Sequence, residues 1–131
     1  DFQQLQIVKK LVSKHKLPVQ IIGCAIFREK SGLAMSSRNE RLSPEARKKA
    51  ALIFEILTKA KEIFQTETIK ETIKFVEKSF KKHPEFELEY FEIADEATLL
   101  PVSEKESEKK YRGFIAIFIE NIRLIDNISL N

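Results

Sequence analysis

The residues best suited to chemistry lie in one short stretch, residues 28–43, which reads Arg-Glu-Lys-Ser-Gly-Leu-Ala-Met-Ser-Ser-Arg-Asn-Glu-Arg-Leu-Ser. Ser36 and Ser37 supply two hydroxyl groups, and Arg38 supplies a planar cation suited to phosphate or carboxylate. Gly32 allows the backbone to turn or to approach a ligand closely. Two hydroxyl donors beside a guanidinium on a loop indicate a phosphate clamp. The alternative is an ordinary solvated loop, since glycine and serine are common loop residues.

The charge around this stretch favours an anionic ligand. Between Arg28 and Lys49 there are seven lysines and arginines against three glutamates, whereas the whole chain has a net charge of only +3. A local excess of positive charge attracts anions, although a solvated helix start has a similar composition. The two histidines, His15 and His83, lie far from Cys24 and from any acidic cluster at ligand spacing, so we expect no metal site in the protein.

The elements before this stretch are predicted from the spacing of apolar residues. Leu5, Val8 and Val12 recur at helical spacing, and Asp1 is a suitable N-cap for that helix. Residues 19–27 form a nearly continuous apolar run, which predicts a strand covered on both faces, as in a parallel sheet. A helix followed by a buried strand is half of an α/β unit whose other strands are absent from this chain.

The elements after it are predicted to form an α+β domain over residues 41–131. Ser43 is expected to cap a helix that runs to Phe64, and a second helix ends before the pair His83-Pro84. The remaining apolar runs are predicted strands: residues 86–94, 114–119 and 122–128. The fold class is therefore a helical hairpin on a three-stranded antiparallel sheet.

The composition is typical of a soluble globular protein. The chain has 131 residues, of which 43% are hydrophobic and 33% charged. No apolar run approaches the ~20 residues that a membrane span needs, and no secretory signal is visible. Cys24 is the one cysteine, so no internal disulfide forms, and its apolar neighbours predict a buried, unreactive thiol. We therefore expect a cytoplasmic protein.

The longer string around the two serines resembles a known signature. Gly-Leu-Ala-Met-Ser-Ser-Arg-Asn, at residues 32–39, is similar to the signature loop of the pantothenate synthetase, or pantoate–β-alanine ligase, family. Asp-Phe-Gln-Gln-Leu at residues 1–5 and Arg-Leu-Ile-Asp-Asn at residues 123–127 resemble two further stretches of that family, in the same order. The resemblance therefore runs over nearly the whole chain and is far more specific than a single short motif.

The resemblance implies a ligase reaction. In this family ATP and pantoate form a pantoyl-adenylate and release pyrophosphate, and β-alanine then attacks the adenylate to give pantothenate and AMP. It implies ATP, accompanied by Mg²⁺, as the cofactor, and neither nucleic acid nor a membrane as a partner. It also makes residues 1–40 the last helix and strand of a Rossmann-like nucleotide-binding domain with the signature loop, and residues 41–131 the C-terminal lid domain. The exposed edges of a strand at residues 19–27 add the expectation of a homodimer.

The resemblance also implies roles for single residues. Gln4 matches a glutamine that holds pantoate, and Asp1 matches an aspartate that contacts the ribose of ATP. Phe27 matches a position whose backbone meets adenine. The loop that closes on the phosphates is matched by Met35, Ser36, Ser37 and Arg38. The resemblance assigns Ser36, Ser37 and Arg38 to catalysis.

Some features depart from the family pattern. Ala25 stands where the family has proline, and Glu120-Asn121-Ile122 stands where it has Gly-x-Thr. The family's His-x-Gly-His segment, its pantoate-binding half and its lysine before Asp1 are not in this chain. We therefore expect the isolated chain to be inactive and to need the missing N-terminal half of the same protein. The alternative hypothesis is a small basic α+β binding or interaction module without catalysis.

Overall fold

The computed structural model describes residues 1–131 and contains four α-helices and three β-strands. The helices are α1 (Phe2–Lys14), α2 (Pro44–Lys49), α3 (Ala51–Thr66) and α4 (Ile69–Lys81). The strands are β1 (Phe86–Asp95), β2 (Tyr111–Ile119) and β3 (Ile122–Ser129). A short 3-10 helix, Ser37–Arg41, lies between α1 and α2. It belongs to residues 28–43, which are called the functional loop below.

The three strands form one antiparallel sheet in the order β1-β2-β3, which confirms the predicted sheet. Glu120 and Asn121 connect β2 to β3, and both have positive φ, of 50° and 60°. Two residues with positive φ make a tight hairpin whose twist matches that of its strands. The departure from the family's Gly-x-Thr therefore still gives a two-residue turn, with Ile119 opposite Ile122.

The helical hairpin consists of α3 and α4, which pack on one face of the sheet. Thr68 and Glu71 form a reciprocal capping box at the start of α4. The core between the two layers contains side chains that are at most 2% exposed, among them Ile53, Leu57, Val76, Ile115 and Ile117. Burial of these residues on both layers stabilises the hairpin-on-sheet arrangement.

The helix predicted to run from Ser43 to Phe64 is divided at Ala50 into α2 and α3. Ser43 does cap α2, since its Oγ accepts from the N–H of Ala46 at 3.1 Å. The turn at Ala50 is tightened, because the N–H of Ile53 donates to the Ala50 carbonyl at 3.1 Å in a 3-10 pattern. No glycine or proline marks this position, so the division was not visible in the sequence.

Residues 19–27 do not form the predicted strand. They have no partner strand, and Val19, Ile22 and Phe27 are 56%, 75% and 73% exposed. The predicted helix α1 forms, but none of its residues is buried. A parallel strand depends on neighbouring strands and covering helices, and this chain supplies neither. The same cause leaves Cys24 exposed, so the prediction of a buried thiol was wrong for this chain.

None of the helices combines the length and the apolar character that a membrane span requires.

Gly32 controls how closely the functional loop approaches α3. Its φ is +91°, and a Cβ there would lie 2.6 Å from Cδ1 of Phe54. Gly32→Ala should therefore lower the free energy of unfolding. A left-handed backbone conformation costs a non-glycine residue about 1–2 kcal/mol, and displacement of the Phe54 ring adds to that cost. The measurement is the urea midpoint.

Gly23→Ala is the matched control for this substitution. An added Cβ at Gly23 would also meet an atom at 2.6 Å, but that atom is the flexible end of Leu5, and Gly23 is not in the left-handed region. We expect a clearly smaller change in midpoint for Gly23→Ala. Equal losses for the two variants would contradict this account of Gly32.

Candidate functional site

A cleft of about 320 Å³ opens where the functional loop, the start of α1 and the sheet meet. The loop contributes Met35, Ser36 and Arg38, and the start of α1 contributes Asp1 and Gln3. The sheet residues that line the cleft include Tyr90, Phe114, Arg123, Ile125 and Asn127. Residues far apart in the sequence thus converge around one opening.

The start of the loop is a tight turn between residues 27 and 35. The N–H of Met35 donates to the carbonyl of Phe27 at 2.9 Å, and the N–H of Glu29 donates to the carbonyl of Leu33 at 2.8 Å. Leu33 is only 3% exposed and belongs to the hydrophobic core. Because the turn is held by its own backbone and by a buried leucine, it delivers Met35 to the edge of the cleft at a defined place.

The 3-10 helix then sets the directions of the predicted phosphate-binding residues. Ser36 is its N-cap, and its Oγ accepts from the N–H of Arg38 at 3.2 Å. The Arg38 side chain lies at the surface, where its Nη1 makes a long hydrogen bond of 3.5 Å to the carbonyl of Arg123. Arg38 takes part in no salt bridge. Its guanidinium is therefore available to an anionic ligand.

The buried residue Asn39 anchors the 3-10 helix to the rest of the loop. This residue is 1% exposed, and its Nδ2 donates to Oε1 of Glu29 at 2.8 Å and to the carbonyl of Ala34 at 3.0 Å. Glu29 in turn accepts from Nη2 and Nε of Arg47, on α2, at 2.9 and 3.2 Å. The network of Glu29, Asn39 and Arg47 thus ties both ends of the loop to α2. The Oδ1 atom of Asn39 is buried without a hydrogen-bond partner.

The Glu29 network makes the stability of the fold depend on pH. Hydrogen bonds from Arg47 and then Asn39, with the charge of Arg47, hold the pKa of Glu29 below its ordinary value of 4.5. A carboxyl with a lowered folded-state pKa stabilises the fold fully above its unfolded pKa, and this stability is lost as pH falls through the folded pKa. We expect the free energy of unfolding to drop more steeply, as pH falls below about 5, in the parent chain than in Glu29→Gln.

The comparison with Glu29→Gln isolates this one carboxyl, because the other titrating groups are shared by both chains. The measurement is urea denaturation at a series of pH values. Parallel curves for the two chains would mean that Glu29 does not hold the loop in solution.

A second fixed point joins the loop to β3. Nη1 and Nη2 of Arg28 donate to the two carboxylate oxygens of Asp126 at 2.6 and 3.0 Å, and the Asp126 side chain is 3% exposed. Arg28 also donates to the carbonyl of Gly32 at 3.1 Å and lies 3.9 Å from the ring centroid of Phe54. All of the cation's strong interactions are therefore internal, and Arg28 is not free for a ligand.

The C-terminal end of the loop is fixed by the β2–β3 turn. Oε2 and Oε1 of Glu120 accept from the backbone N–H and the Oγ of Ser43 at 2.9 and 2.6 Å. These hydrogen bonds lower the pKa of Glu120. The loop is thus attached to the sheet and to α2 on both sides of the 3-10 helix, while the segment facing the cleft stays exposed.

The structure brings together only some of the residues singled out in the sequence. Asp1, Met35, Ser36 and Arg38 line the cleft, whereas Gln4, Phe27 and Ser37 do not. The Phe27 side chain is exposed, and Asp1 uses its carboxylate to cap α1, accepting from the N–H of Gln3 at 3.1 Å. The residues that sequence reasoning assigned no role, but that line or support the cleft, are Arg28, Glu29, Asn39, Tyr90, Arg123 and Asp126.

The arrangement is suited to binding an anion. Asp126 and Glu29 are paired with Arg28 and Arg47, so these carboxylates do not oppose negative charge at the opening. Arg38 retains donors that no carboxylate occupies, beside the Ser36 hydroxyl. A guanidinium next to hydroxyl donors can hold phosphate oxygens and stabilise charge that develops on them.

Comparison with known proteins finds relatives along the whole chain. The model of the family described as pantoate-beta-alanine ligase matches residues 1–129. The chain is 57% identical over 131 residues to the pantothenate synthetase of Christiangramia forsetii, an overlap that covers 100% of this chain and 46% of that protein. The crystal structure of pantothenate synthetase from Thermus thermophilus superposes with a TM-score of 0.88 at 37% identity, covering 99% of this chain and 47% of that one.

A more distant structure is pantoate-beta-alanine ligase from Francisella tularensis, complexed with beta-gamma ATP and beta-alanine. It superposes with a TM-score of 0.55 at 27% identity and covers 99% of this chain and 41% of that one. The chain thus spans about half the length of the curated relatives it matches. The resemblance inferred from three short motifs is confirmed over the full sequence, and the chain belongs to the pantoate-beta-alanine ligase family.

Proposed function

We propose that this chain is the C-terminal part of an ATP-dependent ligase. The complete enzyme condenses pantoate with β-alanine through a pantoyl-adenylate and yields pantothenate, AMP and pyrophosphate. Family membership and the 57% identical pantothenate synthetase support this reaction. The observation that carries the site is Arg38, whose guanidinium lies exposed at the cleft without a carboxylate partner.

In this proposal the loop binds the phosphates of ATP. Ser36, Ser37 and Arg38 stabilise the charge that gathers on the leaving pyrophosphate, and Met35 belongs to the same closing segment. Asp1 contacts the ribose. In this proposal Mg²⁺ accompanies ATP.

Gln4 and Phe27 act in the proposal only when the cleft is completed. Gln4 binds pantoate and the Phe27 backbone meets adenine, yet neither residue lines the cleft of this chain. The apolar side chains exposed beside them, on α1 and residues 19–27, include Ile7, Leu11, Ile22 and Phe27. Such a surface is typical of a domain core that lacks its other half. The N-terminal half of the same protein is the proposed partner that covers it.

The proposal extends to the organisation of the enzyme. Residues 1–40 are the tail of the nucleotide-binding domain, and residues 41–131 are the lid. The enzyme is cytoplasmic and a homodimer. Closure of the lid excludes water and protects the labile acyl-adenylate from hydrolysis.

The test is a hybrid ligase in which this chain replaces the matching part of the Christiangramia forsetii protein. Pyrophosphate release by the hybrid should require ATP and pantoate, and pantothenate should form only when β-alanine is also present. The isolated chain should release no pyrophosphate. A folded hybrid without turnover, together with oligonucleotide binding that weakens steeply with salt, would replace this proposal by a basic binding module.

A further inference from the structure

A second arginine, Arg123, lines the same cleft as Arg38. It follows directly after the β2–β3 turn, in the segment Arg-Leu-Ile-Asp-Asn that contributed to the family resemblance without a role for this side chain. Its backbone carbonyl accepts the long hydrogen bond from Nη1 of Arg38, so the two residues are in direct contact. Two arginines therefore line the cleft.

The Arg123 side chain lies on the face of the sheet opposite α3 and α4, the face that α1 contacts through Phe2 and Phe114. Arg123 is opposite Phe118, whose neighbours Ile117 and Ile119 belong to the core on the other face. Its Nε donates to Oε2 of Glu89, on β1, at 2.6 Å. To reach β1 from β3 the side chain must cross β2. Arg123 lines the cleft, whereas Glu89 lies outside its lining.

The bond between Arg123 and Glu89 differs in kind from the bond between Arg28 and Asp126. The Arg123 and Glu89 side chains are 39% and 41% exposed and share one contact within hydrogen-bond distance. The Asp126 side chain is 3% exposed and accepts from both Nη atoms of Arg28. Exposed single-contact pairs contribute little to stability, whereas breaking a buried bidentate pair is costly. Glu89 can therefore be displaced from its arginine by another anion.

We propose that Arg123 is a second phosphate-binding residue of the cleft, and that Glu89 occupies its guanidinium until a polyphosphate replaces the carboxylate. The ligand class is a nucleoside triphosphate or pyrophosphate, since two arginines that line one cleft supply donors for more than one phosphate group. The proposal rests on the proposed function and deepens it. Binding exchanges one charge-assisted hydrogen bond for others, to the phosphate oxygens.

Two substitutions test this because both break the same ion pair. In the hybrid ligase, Arg123→Gln should raise the KM for ATP by about tenfold, the effect of losing one charged hydrogen bond. Glu89→Gln should lower the KM for ATP, because it removes the competing carboxylate. A merely structural pair predicts the same direction for both variants, so changes in the same direction would overturn the proposal. Equal thermal midpoints for the two variants are the control.

Binding of inorganic pyrophosphate to the chain itself gives the same comparison without turnover. Isothermal calorimetry should show weaker binding for Arg123→Gln and tighter binding for Glu89→Gln than for the parent chain. A hybrid that does not turn over would defeat the proposed function and leave this comparison standing. Pyrophosphate binding that neither variant alters would defeat the assignment of Arg123.

Discussion

Arg38→Ala should lower kcat of the hybrid ligase by about 10²–10³-fold, the usual loss when one donor to a developing charge is removed. The guanidinium is exposed at the cleft and no carboxylate neutralises it, so its donors are available when pyrophosphate departs. Because the charge grows as the bond to the α-phosphate breaks, kcat should fall more than the KM for ATP rises. The measurement is steady-state pyrophosphate release at saturating pantoate and β-alanine.

Arg41→Ala is the matched control for that substitution. Arg41 lies on the same 3-10 helix, is exposed and carries the same charge, but it does not line the cleft. Its removal should change kcat by less than about twofold, as expected for a solvated charge at a distance. Equal losses for Arg38→Ala and Arg41→Ala would show that only the general basic charge of the loop matters.

Asp126→Ala should lower the free energy of unfolding of the chain by about 3 kcal/mol, because it leaves the Arg28 guanidinium largely buried without its partner. The side chains of Arg28 and Asp126 are 18% and 3% exposed, and both Nη atoms of Arg28 donate to the carboxylate. The substitution also releases the functional loop from β3. Urea denaturation measures the loss, provided that the m-value is unchanged.

The control for Asp126→Ala is a substitution in an exposed pair of the same chain. Glu45 and Lys49 form an i,i+4 pair on α2 with side chains 79% and 46% exposed. Glu45→Ala should cost less than about 1 kcal/mol, since solvent screens such pairs. If Asp126→Ala lowers the free energy of unfolding no more than Glu45→Ala does, the Arg28 guanidinium becomes hydrated once the carboxylate is removed. The Arg28–Asp126 pair would then not hold the loop.

The elements predicted correctly are those that local signals determine. The helix α4 ends at Lys81, before the pair His83-Pro84, and the β2–β3 hairpin follows from two apolar runs separated by two residues. The failure at residues 19–27 has the opposite cause. No other strand of the chain pairs with this run, and an apolar run in the sequence does not report whether such a partner is present.

The candidate site was predictable where it is continuous in sequence. Ser36 and Arg38 are two residues apart, and the loop places both at the cleft. The groups that hold this loop are not adjacent to it in sequence: Arg28 and Asp126 are 98 residues apart, and Ser43 and Glu120 are 77 apart. Neither periodicity nor a short motif predicts such pairs, because the packing of the sheet against the loop determines which residues meet.

The most direct test of the central claim is a crystal structure of the hybrid ligase with a non-hydrolysable ATP analogue. The Arg38 guanidinium and the Ser36 Oγ should lie within about 3.2 Å of phosphate oxygens in that structure. A triphosphate bound elsewhere, with Arg38 directed into solvent, would contradict it.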